Sequence, residues 1–191
     1  MGREIRMVPP RWEHPKKEVP NYIKGRMEER YQPMFGSSYT ESMDEWIKNY
    51  QLWKEGRHPA QLDGSANECK RYAEWSGSPP DPKYYRPEWS KDEMTWFQVY
   101  ETASEGTPVT PPFETREELV EYLVANGDFL DQQRRAKGNS IMTCTPWPRE
   151  AAERFVFGSG WAPSLIMTGG KIMSGVEGMV EASVSGNSDP A

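Results

Sequence analysis

Apolar residues recur at three- and four-residue spacing over residues 38–55, where Met43, Trp46, Ile47, Tyr50 and Trp53 fall on one stripe; this period predicts an amphipathic helix. Ser38 with Glu41 three residues on forms a capping box at its start, and Gly56 supplies a stop. The stripe reads as a core-facing surface in preference to a binding groove. A second helix opens at Thr115, with Glu118 as capping-box partner, and runs through Leu119, Tyr122 and Leu123 to Asn126-Gly127, Phe113 folding back on its first turn. A third, short helix spans Pro148 to Val156, with Ala152, Phe155 and Val156 on one side and Gly158 just beyond. The aromatic and β-branched run from Trp96 to Glu101 suits a strand. Leu165 to Thr168 and Lys171 to Met173 flank Gly169-Gly170, the signature of a tight hairpin. Between residues 57 and 91 the pattern dissolves into a connector, with one short helix from Glu68 to Trp75.

Prolines change the picture at the start of the chain. Pro9, Pro10, Pro15, Pro20 and Pro33 fix φ and remove donors, so residues 1–36 are expected to form an extended arm, anchored by Trp12, Tyr22, Tyr31 and Phe35. The expected fold is α+β: a small antiparallel sheet with a C-terminal hairpin, packed by about three helices. The expected organisation is an arm over 1–36, one domain over 37–178 and a flexible tail over 179–191. With 8 Trp, 9 Tyr and 6 Phe in a chain only 36% hydrophobic, the core should be small and aromatic.

Charge and residue supply exclude several functions. A net charge of −6 argues against a general nucleic-acid binder, which needs a basic face to release counterions. Residues 1–35 hold eight Lys and Arg against five Asp and Glu, a local +3 that leaves −9 for the remainder. Cys69 and Cys144 have no metal or redox spacing and read as free thiols of a reducing cytoplasm. No run approaches the roughly 20 apolar residues of a membrane span, and Arg6 stands where a myristoylation motif needs Ser or Thr. His14 and His58 are the only histidines, and no clustered metal ligands, nucleophile elbow, P-loop or dinucleotide glycine fingerprint occurs. A non-enzyme with no cofactor and no metal is the expectation.

Three segments remain as candidates. Tyr100 to Pro108 gathers Glu101, Glu105 and the hydroxyls of Thr102, Ser104 and Thr107 where a strand gives way to a loop. Glu101 and Glu105 could act as acid and base if brought close; the plainer alternative is a polar turn through Ser104, Glu105 and Gly106. Gly158-Ser159-Gly160-Trp161 offers converging amides for an anion and a ring for stacking, against the alternative of a helix stop followed by a buried Trp. Arg11-Trp12-Glu13-His14-Pro15 places a ring and three ionisable side chains on a stiff segment suited to an interface, or to wrapping its own domain.

The opening Arg6-Met7-Val8-Pro9-Pro10-Arg11-Trp12-Glu13-His14-Pro15 carries a resemblance that extends to the Tyr100–Pro108 segment, to Gly160-Trp161-Ala162-Pro163-Ser164 and to Ser174-Gly175-Val176. In this order they resemble a family of small uncharacterised proteins encoded by bacteriophages and prophages. The resemblance implies a viral origin and a bacterial host cytoplasm, and brings no catalytic residue with it. By that analogy the chain is expected to bind and inhibit or modulate a host defence or nucleic-acid-processing protein complex, with Arg11, Trp12, His14, Glu101, Ser104, Glu105 and Trp161 facing the partner. One alternative is an anionic-nucleotide binder built on Gly158, Ser159, Gly160 and Trp161, with Arg154 and Lys171 as the cations nearby in sequence. A second is a virion structural or assembly protein; self-association stays open.

Overall fold

The six residues before Pro9 contain no proline, and they alternate: Ile5 and Met7 share one face, Glu4 and Arg6 the other. In the computed structural model they form β1 (Arg3–Val8), followed by β2 (Lys16–Asn21) and β3 (Arg26–Tyr31). The structure describes residues 2–103, 106–136, 146–168, 170–175 and 178, and it comprises two units, Met1–Pro33 with Trp89–Ala191 and Met34–Glu88. The three strands correct the expectation of an extended arm over residues 1–36. Pro9, Pro10, Pro15 and Pro33 all lie between strands, where no ladder hydrogen bond is lost. Pro20 sits inside β2, but a two-stranded ladder has an outer edge on which a missing N–H costs little. Asn21 Oδ1 accepts from the amides of Ile23 and Lys24, both at 3.1 Å, and Gly25 takes φ 61°, so the β2–β3 turn is built by side-chain and glycine chemistry.

The Met34–Glu88 unit holds α1 (Tyr39–Lys54), α2 (Pro59–Leu62) and α3 (Tyr72–Ser76), then a single 3₁₀ turn at Pro82–Tyr84. Ser38 Oγ accepts from Glu41 N at 3.4 Å, while Glu88 Oε1 accepts from Ser38 Oγ at 2.8 Å and Thr40 N at 3.3 Å. A carboxylate 50 residues away therefore does part of the work expected of a local capping box. The core is a set of rings: Tyr72 lies 5.3 Å from Trp46, 5.6 Å from Trp53 and 5.6 Å from His58. His58 also caps α2, its Nδ1 accepting from Ala60 N at 3.2 Å.

In the other unit the chain resumes with β4 (Trp96–Glu101) and β5 (Thr107–Pro108), then α4 (Arg116–Asn126), α5 (Phe129–Ala136), α6 (Arg149–Phe157) and β6 (Trp161–Ala162). A hairpin follows, β7 (Leu165–Thr168) with β8 (Lys171–Ser174), in the register the glycine pair predicts. Gly170 takes φ 78°, whereas Gly169, Cys144 and the tail 179–191 lie outside the described residues. The four-stranded sheet is antiparallel in the order β5-β4-β1-β6, with Ile5 opposite Val99. Ile5 and Val99 pack with Leu119 and Leu123 of α4 and with Phe155 and Val156 of α6 in one apolar cluster. Both halves of the Thr115–Glu118 capping box form. α5 begins with a reciprocal pair that the sequence reading did not single out: Asp131 N donates to Asp128 Oδ1 at 2.8 Å and Asp128 N to Asp131 Oδ2 at 3.4 Å.

Candidate functional site

Opposite the apolar cluster, the sheet presents a second face on which Trp161, Glu4 and Tyr100 stand in one cross-strand row, with Arg6 opposite Gln98 beside it. Arg6 lies 4.6 Å over the Tyr100 ring and is paired with Glu4 at 2.5 Å. Tyr100 donates to Gln98 Oε1 at 2.9 Å, and Gln98 Nε2 donates to the Thr110 carbonyl at 2.8 Å. His14, 8% exposed, lies against this row. Its Nε2 is 2.6 Å from the Gln32 carbonyl, which can only accept, so Nε2 carries a proton, and Nδ1 lies 3.3 Å from the Tyr100 hydroxyl. Burial lowers the His14 pKa, opposed by the bond to Gln32 and assisted by the Arg6 charge; burial pushes the Tyr100 phenol up to about 12. Trp12 packs edge-on to Trp89 at 4.7 Å, with its Nε1 buried. Tyr31, at the end of β3, lies 5.7 Å from His14, and Gln32 N donates to the Pro15 carbonyl at 2.8 Å. These contacts clamp the base of the β2–β3 hairpin to the sheet. Buried between a carbonyl and a phenol, the His14 ring ties the hairpin base to the sheet.

The far end of that hairpin is different. Tyr22 is 90% exposed and Ile23 98%, with Met27 at 54%. Tyr22 was expected to be an anchor of the arm and instead forms the tip. Around it Glu28 faces Lys24 at 2.7 Å, Arg30 at 3.6 Å and Arg26 at 3.7 Å, so one carboxylate serves three cations and a surplus of two positive charges remains. Hydrogen bonds from Lys24 and then Asn21 hold Glu28 at a pKa of about 2. The signal available in the sequence was Asn21 and Gly25 bracketing three residues between two charged hexapeptides.

The structure brings Trp12, His14 and Tyr100 together and sets Trp161 on the same sheet face, 51% exposed. Arg11 is exposed in the turn before Trp12 and takes φ 57°, an uncommon conformation for a residue with a Cβ. Glu101 falls on the opposite face, across from Arg3, 5% exposed with Oε1 unpaired; Ser104 and Glu105 lie outside the described residues. In the glycine segment Gly158 N donates to Arg154 O and Gly160 N to Phe155 O, each at 3.0 Å, and Trp161 N donates to Ser159 Oγ at 3.3 Å. Those three amides are engaged internally.

Sequence reasoning also missed a buried ion pair, Arg3 Nε to Asp128 Oδ2 at 2.5 Å. Asp131 beside it accepts from the Trp147 indole at 2.9 Å, and its pKa is raised by burial first and the Asp128 charge second. Because both carboxylates cap α5, the cluster fastens β1 to a helix start. Among the described residues no three His, Cys, Asp or Glu side chains are placed to hold a metal ion, and no helix is long and apolar enough to cross a membrane. No protein-family model matches the chain, and neither a curated protein nor a solved structure is found to match it.

Proposed function

We propose that this is a non-enzymatic binding protein whose β2–β3 hairpin is its docking element. In keeping with the resemblance described above, its partner is a host protein complex in a bacterial cytoplasm, which it inhibits or modulates as a phage or prophage accessory factor. The observation that carries the reading is the near-complete exposure of Tyr22 and Ile23 at the tip of a clamped hairpin. Burying such side chains against a partner recovers about 1.5–3 kcal/mol each, and a hairpin fixed at its base loses little entropy on docking. The surplus positive charge around Glu28 selects a partner surface with an acidic rim.

Affinity capture from host lysate with the wild-type chain and with Tyr22→Ser/Ile23→Ser tests this. One protein should copurify in fixed ratio with wild type and be lost, by about tenfold or more, from the variant, whose circular dichroism stays unchanged. Equal capture by both proteins, or turnover of a substrate by the purified chain, overturns the reading.

A further inference from the structure

At the Trp96 end of β4 the same unit carries an open groove of about 650 Å³, bordered by Trp96, Pro112 and Phe113 and by the first turns of α4. Its α4 side is acidic: Glu117, Glu118 and Glu121 lie on the helix and Glu114 just before its Thr115 cap. Glu121 is neutralised by a two-pronged pair with Arg149 at 2.7 and 2.8 Å, and Glu118 accepts from the amides of Glu114 and Thr115 at the helix start. Glu114 and Glu117 have no ion pair among the described residues.

We propose that this groove receives the hairpin tip of a second copy of the chain, Tyr22 and Ile23 entering between Trp96, Phe113 and α4 while the net positive group of Lys24, Arg26 and Arg30 faces Glu114 and Glu117. The two surfaces match in kind and in sign: a ring and an aliphatic side chain against an aromatic wall, and a net surplus of two positive charges over Lys24, Arg26 and Arg30 against the carboxylates of Glu114 and Glu117. The chain's own tip does not occupy the groove, because Tyr22 and Ile23 are exposed. Tip and groove are different surfaces, so the contact is head-to-tail and builds rings or open chains. A contact this small falls below the roughly 1,200 Å² of stable interfaces, which makes the association weak and salt-dependent. It covers the tip when no other partner is present.

Sedimentation velocity of the purified full chain over a wide concentration range tests the contact without any host component. The average mass should rise with concentration at low salt and fall back at high salt. Lys24→Glu/Arg26→Glu and Glu114→Lys/Glu117→Lys should each weaken association by on the order of tenfold, and an equal mixture of the two variants should restore it, because the mixture contains a native tip and a native groove on different molecules. Ile23→Ser, a neutral change at a fully exposed position, should weaken it as well. A monomer at every concentration, association that survives either charge reversal, or a mixture that stays monomeric overturns the proposal. The groove variant should still capture the host partner, so this inference and the docking role of the tip fail separately.

Discussion

The two units fill their interiors by different means. In the unit that contains the sheet, Val99, Leu119, Leu123, Phe155 and Val156 are all 0% exposed, and the packing is mostly aliphatic, with Phe155 and Trp147 as its buried rings. In the Met34–Glu88 unit the buried cluster is Trp53, Ala60, Ala66 and Tyr72, enlarged by Trp46 and by the stacked Trp46–Tyr50 pair at 5.3 Å and 15°. Aliphatic packing needs many positions repeated on regular elements, so it arises where helices and strands are long enough to supply them. Rings supply large buried area from few positions and tolerate several mutual angles, so they can hold short helices and loops together. Trp46 Nε1 and Gln61 Oε1 are buried without partners in this unit, each a penalty of about 1–3 kcal/mol.

The largest expected effect tests the aliphatic side. Leu123→Ala should cost about 3–5 kcal/mol in urea unfolding, because this α4 side chain is fully enclosed in the apolar cluster with α6 and the sheet. Tyr72→Leu keeps most of the apolar volume but removes ring contacts with Trp46, Tyr50, Trp53 and His58, so a smaller loss of about 1–3 kcal/mol is expected. Hydrogen exchange should place that loss within residues 34–88; equal costs for the two substitutions, or exchange spread over both units, would break the contrast. The smallest effect concerns the ring cluster on the outer sheet face. His14 has a folded pKa below its ordinary 6.5, so as pH falls below that value the unfolded chain takes up the proton first. Its contribution to stability is therefore complete above about 6.5 and declines below it. His14→Gln should lessen that decline when unfolding is compared well above and well below 6.5; an identical slope in the variant would remove His14 from the account.

The elements legible in the sequence were those with local punctuation. Thr115 with Glu118, the glycines at 56 and 127, and the glycine pair before Lys171 placed α1, α4 and the β7–β8 hairpin, because caps and turns depend on residues a few positions apart. β1 was hidden because the prolines that follow it dominate the composition, and its pairing with residues 96–101 is a property of distant chain. β2 and β3 are built mostly of Lys, Glu, Arg and Pro, poor strand formers made possible by the Asn21–Gly25 turn and the clamp at His14. The candidate site was legible in pieces. Trp12, His14 and the Tyr100 segment each stood out alone, but their meeting follows from the β1–β4 register, which no spacing along the chain reveals. Tyr22 was read as a buried anchor and Ile23 was passed over, because exposure is invisible in a residue's type.

The Arg3–Asp128 pair spans 125 positions, and β1 closes its sheet only when Trp161 and Ala162 are also in place. During synthesis the first strand therefore leaves the ribosome long before its neighbours exist, while residues 34–88 carry all of their own ring contacts and can collapse as soon as they emerge. Strand β1 can take up β4 as soon as residues 96–101 have emerged, and its other edge is covered only when Trp161 and Ala162 follow.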